Sequence, residues 1–166
     1  MKISSKSNMY ERVLEGTWEL FGDYLSGARE AMLCVVSSAE LGGAAKAALQ
    51  SSFAKLGYGK AACTFFTLQG KASCDGRDGR DGLPPLAEKE IYAVLEGMDP
   101  CLLVIADAQA AKACSRAYRL DIPLDQRSRV FGREVRAFAS FESMLDDPKG
   151  KQGAWALLKT LPKFSG

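Results

Sequence analysis

The sequence predicts an α/β domain with three layers, α/β/α, around a mainly parallel four-stranded central sheet. Three observations carry that expectation. Helix-like and strand-like segments alternate along the 166 residues. The internal strand-like runs Ala31–Val36 and Cys101–Ala106 are continuously apolar, as strands covered on both faces are. Between them lie segments whose apolar residues recur at three- and four-residue steps. The length fits one domain on a prior of roughly 100–200 residues. Hydrophobic residues make up 47% of the chain, enough for a real core.

Taken in order, Tyr10–Leu25 reads as a helix, with Val13, Leu14, Trp18, Phe21 and Leu25 on one face. Asn8 and Glu11 are spaced as a capping box, and Gly27 is its stop signal. Ala31–Val36 is the first buried strand. Gly43–Leu56 is the next helix, with Ala44, Ala47, Ala48 and Phe53 or Leu56 turned to the core and Gly57 and Gly59 ending it. Ala61–Leu68, rich in Thr and Phe, reads as the second strand. Residues 69–85 form a flexible loop with a tandem Asp-Gly-Arg tract at 75–82. Leu86–Gly97 is a helix with Ile91, Val94 and Leu95 inward, Cys101–Ala106 the third strand and Ala108–Tyr118 the fourth helix. Arg129–Ser140 is a strand or hairpin with its turn at Phe131-Gly132-Arg133-Glu134 and its main strand at Val135–Ala139. Phe141–Asp146 is a short helical turn. Pro148–Leu161 is the last helix, with Pro at its first position and Trp155, Leu158 and Leu161 on its apolar face.

The chain contains no histidine. That excludes Ser-His-Asp and Cys-His nucleophile systems, a histidine general base and His-ligated zinc. The formal charge is only +2, but it is unevenly spread. From Lys112 onward there are 11 basic and 6 acidic residues, net +5, which leaves −3 for residues 1–111. A basic final third suits an anionic partner such as a nucleic-acid backbone, although a solvated surface is the simpler reading. Arg127, Arg129, Arg133 and Arg136 are its candidate phosphate contacts, and strand alternation sends Arg133 and Arg136 to opposite faces. The five cysteines, at 34, 63, 74, 101 and 114, match neither a zinc-site spacing nor a disulfide framework. Cys34, Cys63 and Cys101 read as small buried hydrophobes. The first residues lack the apolar stretch of a signal peptide, and no run reaches 18 apolar residues. A reducing cytoplasm is the expected compartment.

In a doubly covered parallel sheet, ligands bind outside the carboxyl ends of the strands. That points to Ser37–Gly42, Thr67–Ser73, Asp107–Gln109 and Ser140–Ser143. Glu40 is the weak catalytic candidate, as a water-orienting carboxylate; its plainer role is a surface acid near a helix start. Ser37 and Ser38 are candidate phosphate contacts with the helix start at Gly42-Gly43, or else helix caps. Asp107 is a candidate ligand contact, or the cap of the following helix. Asp75, Asp78 and Asp81 lack the alternating spacing of a calcium loop. Trp18 and Trp155 read as packing residues.

Two stretches resemble the uracil-DNA glycosylase superfamily. Leu95–Ala113, with its Pro, apolar strand and Ala-Ala-Lys-Ala, resembles that superfamily's "P-x-V-I-V-A-L-G-x-x-A-A-K-A". Ser140–Lys159 is similar to "H-P-S-x-L-L-x-x-P-x-x-K-x-x-x-W-x-x-L". The nearest type is the bacterial iron–sulfur one, and the likeness loosely covers residues 30–160. It implies a uracil-DNA glycosylase-like α/β fold for the single domain 1–166, with residues 1–28 as an N-terminal helical segment. It also implies a cleft in which such enzymes hold a flipped base by its pairing edge.

The chemical positions depart from the family's pattern. The glutamate of "G-E-A-P-G" falls on Ser38, with Glu40 two residues late, and the loop bearing the base-stacking Phe is missing. The base-reading Asn of "T-N" falls on Leu68, with Gln69 next. The Gly of "A-L-G" is Asp107, and the His and Pro of "H-P-S" are Ser140 and Phe141. The four cluster cysteines have no counterparts, so no cofactor is expected, an iron–sulfur cluster included. Ser37, Ser38, Leu68, Gln69, Asp107 and Ser140 are therefore the positions of the inferred cleft. The expected protein lacks classical glycosylase activity and keeps weak binding of DNA or a nucleotide. The alternatives are a non-enzymatic interaction or scaffold protein, with a protein partner or as a homo-oligomer, and an active glycosylase relying on Glu40.

Overall fold

The computed structural model describes residues 9–30, 32–59, 63–69 and 85–162. Among them the chain forms an α/β fold with helices on both faces of one mixed sheet. α1 (Met9–Phe21) runs into a 3-10 turn, Gly22–Tyr24, and then β1 (Leu25–Gly27). β2 (Leu33–Ser37), α2 (Gly43–Lys55), β3 (Cys63–Thr67), α3 (Glu88–Met98), β4 (Leu102–Ile105) and α4 (Ala108–Tyr118) follow in alternation. The hairpin β5 (Arg127–Val130) and β6 (Arg133–Ala137) leads to α5 (Phe141–Met144) and α6 (Pro148–Leu158). Asn8 and the Asp-Gly-Arg tract at 75–82 lie outside the described residues.

The strand order is β1-β3-β2-β4-β6-β5. The four inner strands are mutually parallel, as expected. The two edge strands are antiparallel additions, so the sheet has six strands rather than four. β1 was expected to be the end of the first helix, because Leu25 fits the helical spacing. Leu25 instead pairs with Phe66 at the edge of β3 and is itself wholly buried, while Ser26 is half-buried and Gly27 exposed. Gly27 makes that edge possible. Its φ is +88°, and a Cβ there would meet the Cys63 carbonyl oxygen at 2.7 Å.

Alternation along the strands divides the core into two clusters. Leu33, Val35, Phe65, Leu102 and Val104 face α2 and α6. Cys34, Val36, Phe66, Leu103 and Ile105 face α1, α3 and α4. A right-handed crossover puts its helix on opposite faces according to the direction of the step. From β2 the chain steps to β3 through α2. From β3 and β4 it steps the other way through α3 and α4, and those helices cover the other face.

Local details correct several expectations. The buried residues of α2 are Ala45, Leu49 and Phe53, not Ala44 and Ala47, because an alanine-rich helix has little contrast between its faces. Cys101 is exposed, just before β4 begins; the other described cysteines, Cys34, Cys63 and Cys114, are buried. Neither Ser37 nor Ser38 caps α2. Ser37 is the last residue of β2, and the N-cap position of α2 is Gly42. Arg133 and Arg136 do point to opposite sides, but both are buried and neither is free for phosphate. Arg133 binds Glu96, Asp99 and the Pro100 carbonyl. Arg136 binds Glu134 and Thr160.

Candidate functional site

The reversal of strand order between β2 and β4 opens the loops after those strands away from each other, the geometry that leaves a crevice at the strand ends. A cleft of about 310 Å³ lies there. Its walls come from the loops after β2, β4 and β6, and its polar residues are Ser38, Glu40, Asp107, Gln109, Ser140 and Glu142.

Asp107 stands at the centre. As the N-cap of α4, its Oδ1 accepts from the Ala110 amide at 2.8 Å, the structural role its sequence position suggests. Its Oδ2 accepts from the Ser38 amide at 2.8 Å, which ties the end of β2 to the start of α4. A bridge to Ser140 brings the third loop in. Ser140 is the N-cap of α5, its Oγ accepting from the Ser143 amide at 3.3 Å. Glu142 reaches back across the chain, and its Oε1 accepts from the Gly42 amide at 2.9 Å. It thus serves the start of α2 in place of a local side-chain cap. Glu40 pairs with Lys46, one turn into α2, at 3.2 Å.

Four of the sequence-derived positions meet in this cleft: Ser38, Glu40, Asp107 and Ser140. Three do not line it. Ser37 is a buried strand residue whose carbonyl accepts from the Leu68 amide at 2.9 Å. Leu68 is buried in the cluster facing α1, α3 and α4. Gln69 follows in an exposed turn. The cleft is thus built on the ends of β2, β4 and β6, with no lining residue from β3. Gln109 and Glu142 lay inside the segments singled out by topology, but neither was named as a site residue. The partner of Glu142 is 100 residues distant, so nothing local announces its role.

The rim is acidic. Glu40, Asp107 and Glu142 line it, and among the described residues no Lys or Arg does. Such walls disfavour a phosphate and favour hydrogen-bond donors. Each of the three carboxylates already holds a partner within the fold.

The described cysteines do not converge as the thiolates of an iron–sulfur cluster would have to. Cys34 and Cys114 lie in one core cluster and Cys63 in the other, on the opposite face of the sheet. Burial raises the Cys34 thiol well above its usual range, Cys63 to about 11 and Cys114 to about 12. Among the described residues no group of three or more His, Cys, Asp or Glu is placed to hold a metal ion. No helix among them is long and apolar enough to cross a membrane. No protein-family model matches the chain, and no curated protein matches it.

Proposed function

We propose that the protein is a divergent uracil-DNA glycosylase-like domain that has lost glycosylase chemistry and binds a nucleobase or nucleoside in the switch-point cleft. The observation that carries this reading is the occupation of every acid in the cleft. Hydrolysis of a glycosidic bond by this kind of site needs a carboxylate that can hold water, and help for the departing base. The family's glutamate position is Ser38, whose amide is bound by Asp107. The family's histidine position is Ser140, which caps α5. The two exposed acids are engaged as well, Glu142 with the Gly42 amide and Glu40 with Lys46.

The cleft nevertheless has the volume and polarity of a small-ligand site. The Gln109 amide presents both a donor and an acceptor, the pairing chemistry that reads base edges. The three acids of the rim favour an uncharged base or nucleoside with an amino group over a nucleotide.

The test has two arms. Calorimetric titration with adenine, cytosine and guanine nucleosides is expected to show binding, weakened by Gln109→Ala. Incubation with oligonucleotides carrying uracil and a panel of modified bases is expected to release none. Release of a base by the wild type and its loss in Glu40→Gln would establish the active-glycosylase reading instead. Absence of nucleoside binding at millimolar ligand would end the binding claim.

A second reading, self-association, is favoured by one surface. Met9, Val13 and Leu20 are large exposed hydrophobics spaced along one stripe of α1, with Leu20 78% exposed. If this stripe is a homo-oligomer interface, sedimentation shows a dimer that Leu20→Glu dissociates. A monomer at all accessible concentrations removes this reading.

A further inference from the structure

A second surface, on the α2–α6 layer, carries a different chemistry. α2 and α6 lie side by side over the sheet and leave between them a groove of about 320 Å³. Phe141 and Leu158 supply part of its apolar floor, and Ser51, Lys55, Lys151 and Trp155 are among its walls. No carboxylate lines it among the described residues. Trp155 is only partly buried, and two ammonium groups from different elements flank its ring. Lys55 Nζ of α2 is 6.0 Å from the ring centroid, and Lys159 Nζ, at the C-cap of α6, is 5.6 Å away.

The fold accounts for two of the lysines here and not for two others. Lys55 and Lys159 sit at helix C-termini, where a cation is favourable. Lys149 and Lys151 sit at the opposite end, in the opening residues of α6, where the helix dipole disfavours positive charge. Lys55, Lys149, Lys151 and Lys159 are all exposed, and none forms an ion pair among the described residues. Three arginines of the basic final third are committed to the fold: Arg133 and Arg136 are buried, and Arg129 is paired with Glu134. Of the exposed cations in the final third, Lys112, Arg116, Arg119 and Arg127 lie on α4, its C-cap and β5, while Lys151 and Lys159 are accompanied by an indole and a groove.

We propose that the α2–α6 groove binds single-stranded nucleic acid, with Trp155 as a platform on which a base stacks and Lys55, Lys151 and Lys159 as contacts to the flanking phosphates. An aromatic ring within a positive groove is the combination such ligands require. An apolar protein segment would not call for unpaired cations along both walls. The Ser51 hydroxyl, on an exposed residue of the groove, is a further donor for a phosphate oxygen. This surface is separate from the acidic cleft at the strand ends and does not rest on the nucleoside reading.

The experiment is fluorescence anisotropy with a labelled oligo(dT) of about 15 nucleotides, near the upper site size of a single-strand-binding module. Binding is expected at low salt, with a log–log salt slope of about −2 for three phosphate contacts at about −0.7 each. The triple variant Lys55→Gln, Lys151→Gln, Lys159→Gln is expected to flatten that slope. Trp155→Ala is expected to weaken binding about ten- to hundredfold, and Trp155→Phe to restore part of it. In a Trp18→Phe background, indole fluorescence is expected to quench on binding. The lysines are exposed, so circular dichroism of the triple variant should match the wild type. The inference is overturned if the wild type does not bind at low salt, or if binding is unaffected by the lysine variant. It is also overturned if Trp155→Ala binds as tightly as the wild type, which would mark a polyanion surface without base stacking. Binding to anionic vesicles but not to the oligonucleotide would assign the groove to a lipid headgroup surface and overturn it as well. Nucleoside titration of the cleft is read separately, so either claim can fail without the other.

Discussion

At the residue scale, Asp107 shows how one side chain serves fold and site together. One oxygen caps α4 and the other holds the end of β2. Removing the carboxylate takes away a helix cap, worth about 1 kcal/mol, and leaves the Ser38 amide without its partner, about 1–3 kcal/mol more where it is shielded from water. Asp107→Ala is therefore expected to lower stability by roughly 2–4 kcal/mol in urea denaturation. Asp107→Asn should recover part of that loss, because its one carbonyl oxygen can still accept. A loss below about 0.5 kcal/mol would show that the clamp contributes little. The capping role was legible, since an Asp between a buried strand and an alanine-rich helix announces itself. The bond to Ser38 was not, because it joins residues 69 apart.

At the element scale, β2 and β4 were legible because burial on both faces leaves a continuous apolar run, β3 from its Thr and Phe, and β6 as the main strand of the hairpin. The edge strands were harder. β1 has three residues, and β5 is largely exposed. Neither has enough apolar residues to display a period, and each exists because a neighbour offers an open edge. The hairpin was anticipated, but its turn is tighter than expected. Phe131 and Gly132 both have positive φ, +49° and +82°, the backbone of a two-residue hairpin turn. A phenylalanine in that region is unfavourable, and its ring compensates by packing edge-on against Tyr118 at 5.0 Å. The inward face of α2 was misjudged because its alanines do not distinguish core from solvent. Leu49 and Phe53, placed by the sheet below, settle it.

At the scale of the whole molecule, two buried arginines connect distant elements, and their acid partners set an acid limit on stability. Hydrogen bonding from Arg133 holds Glu96 below the usual carboxylate range. Hydrogen bonds from Arg129 and then Arg136 do the same for Glu134. A carboxylate whose folded pKa lies below its unfolded value of about 4.3 adds stability that is fully present above that value. That stability is lost as pH falls through the folded pKa. The urea midpoint is thus expected to be level from pH 7 to about 5 and to fall below about pH 4. Glu134→Gln should lower the plateau and make the acid limb shallower. An unchanged acid limb in that variant would show that the Glu134 pair is not part of the linkage.

By itself the sequence determined the alternation of helices and strands, the parallel inner sheet, the end of that sheet where a cleft would form and the absence of imidazole chemistry. These follow from local facts: apolar periodicity, capping residues and composition. Only the tertiary structure decided which residues meet at that end. It took Ser37, Leu68 and Gln69 out of the cleft, brought Gln109 and Glu142 in, and gave Asp107, Ser140 and Glu142 backbone partners. It also buried Arg133 and Arg136 while leaving the lysines beside Trp155 at the surface. The reason is physical. A strand pattern tells which faces are covered, but hydrogen-bond partners and residual charge depend on residues far apart in the chain, and only folding brings those together.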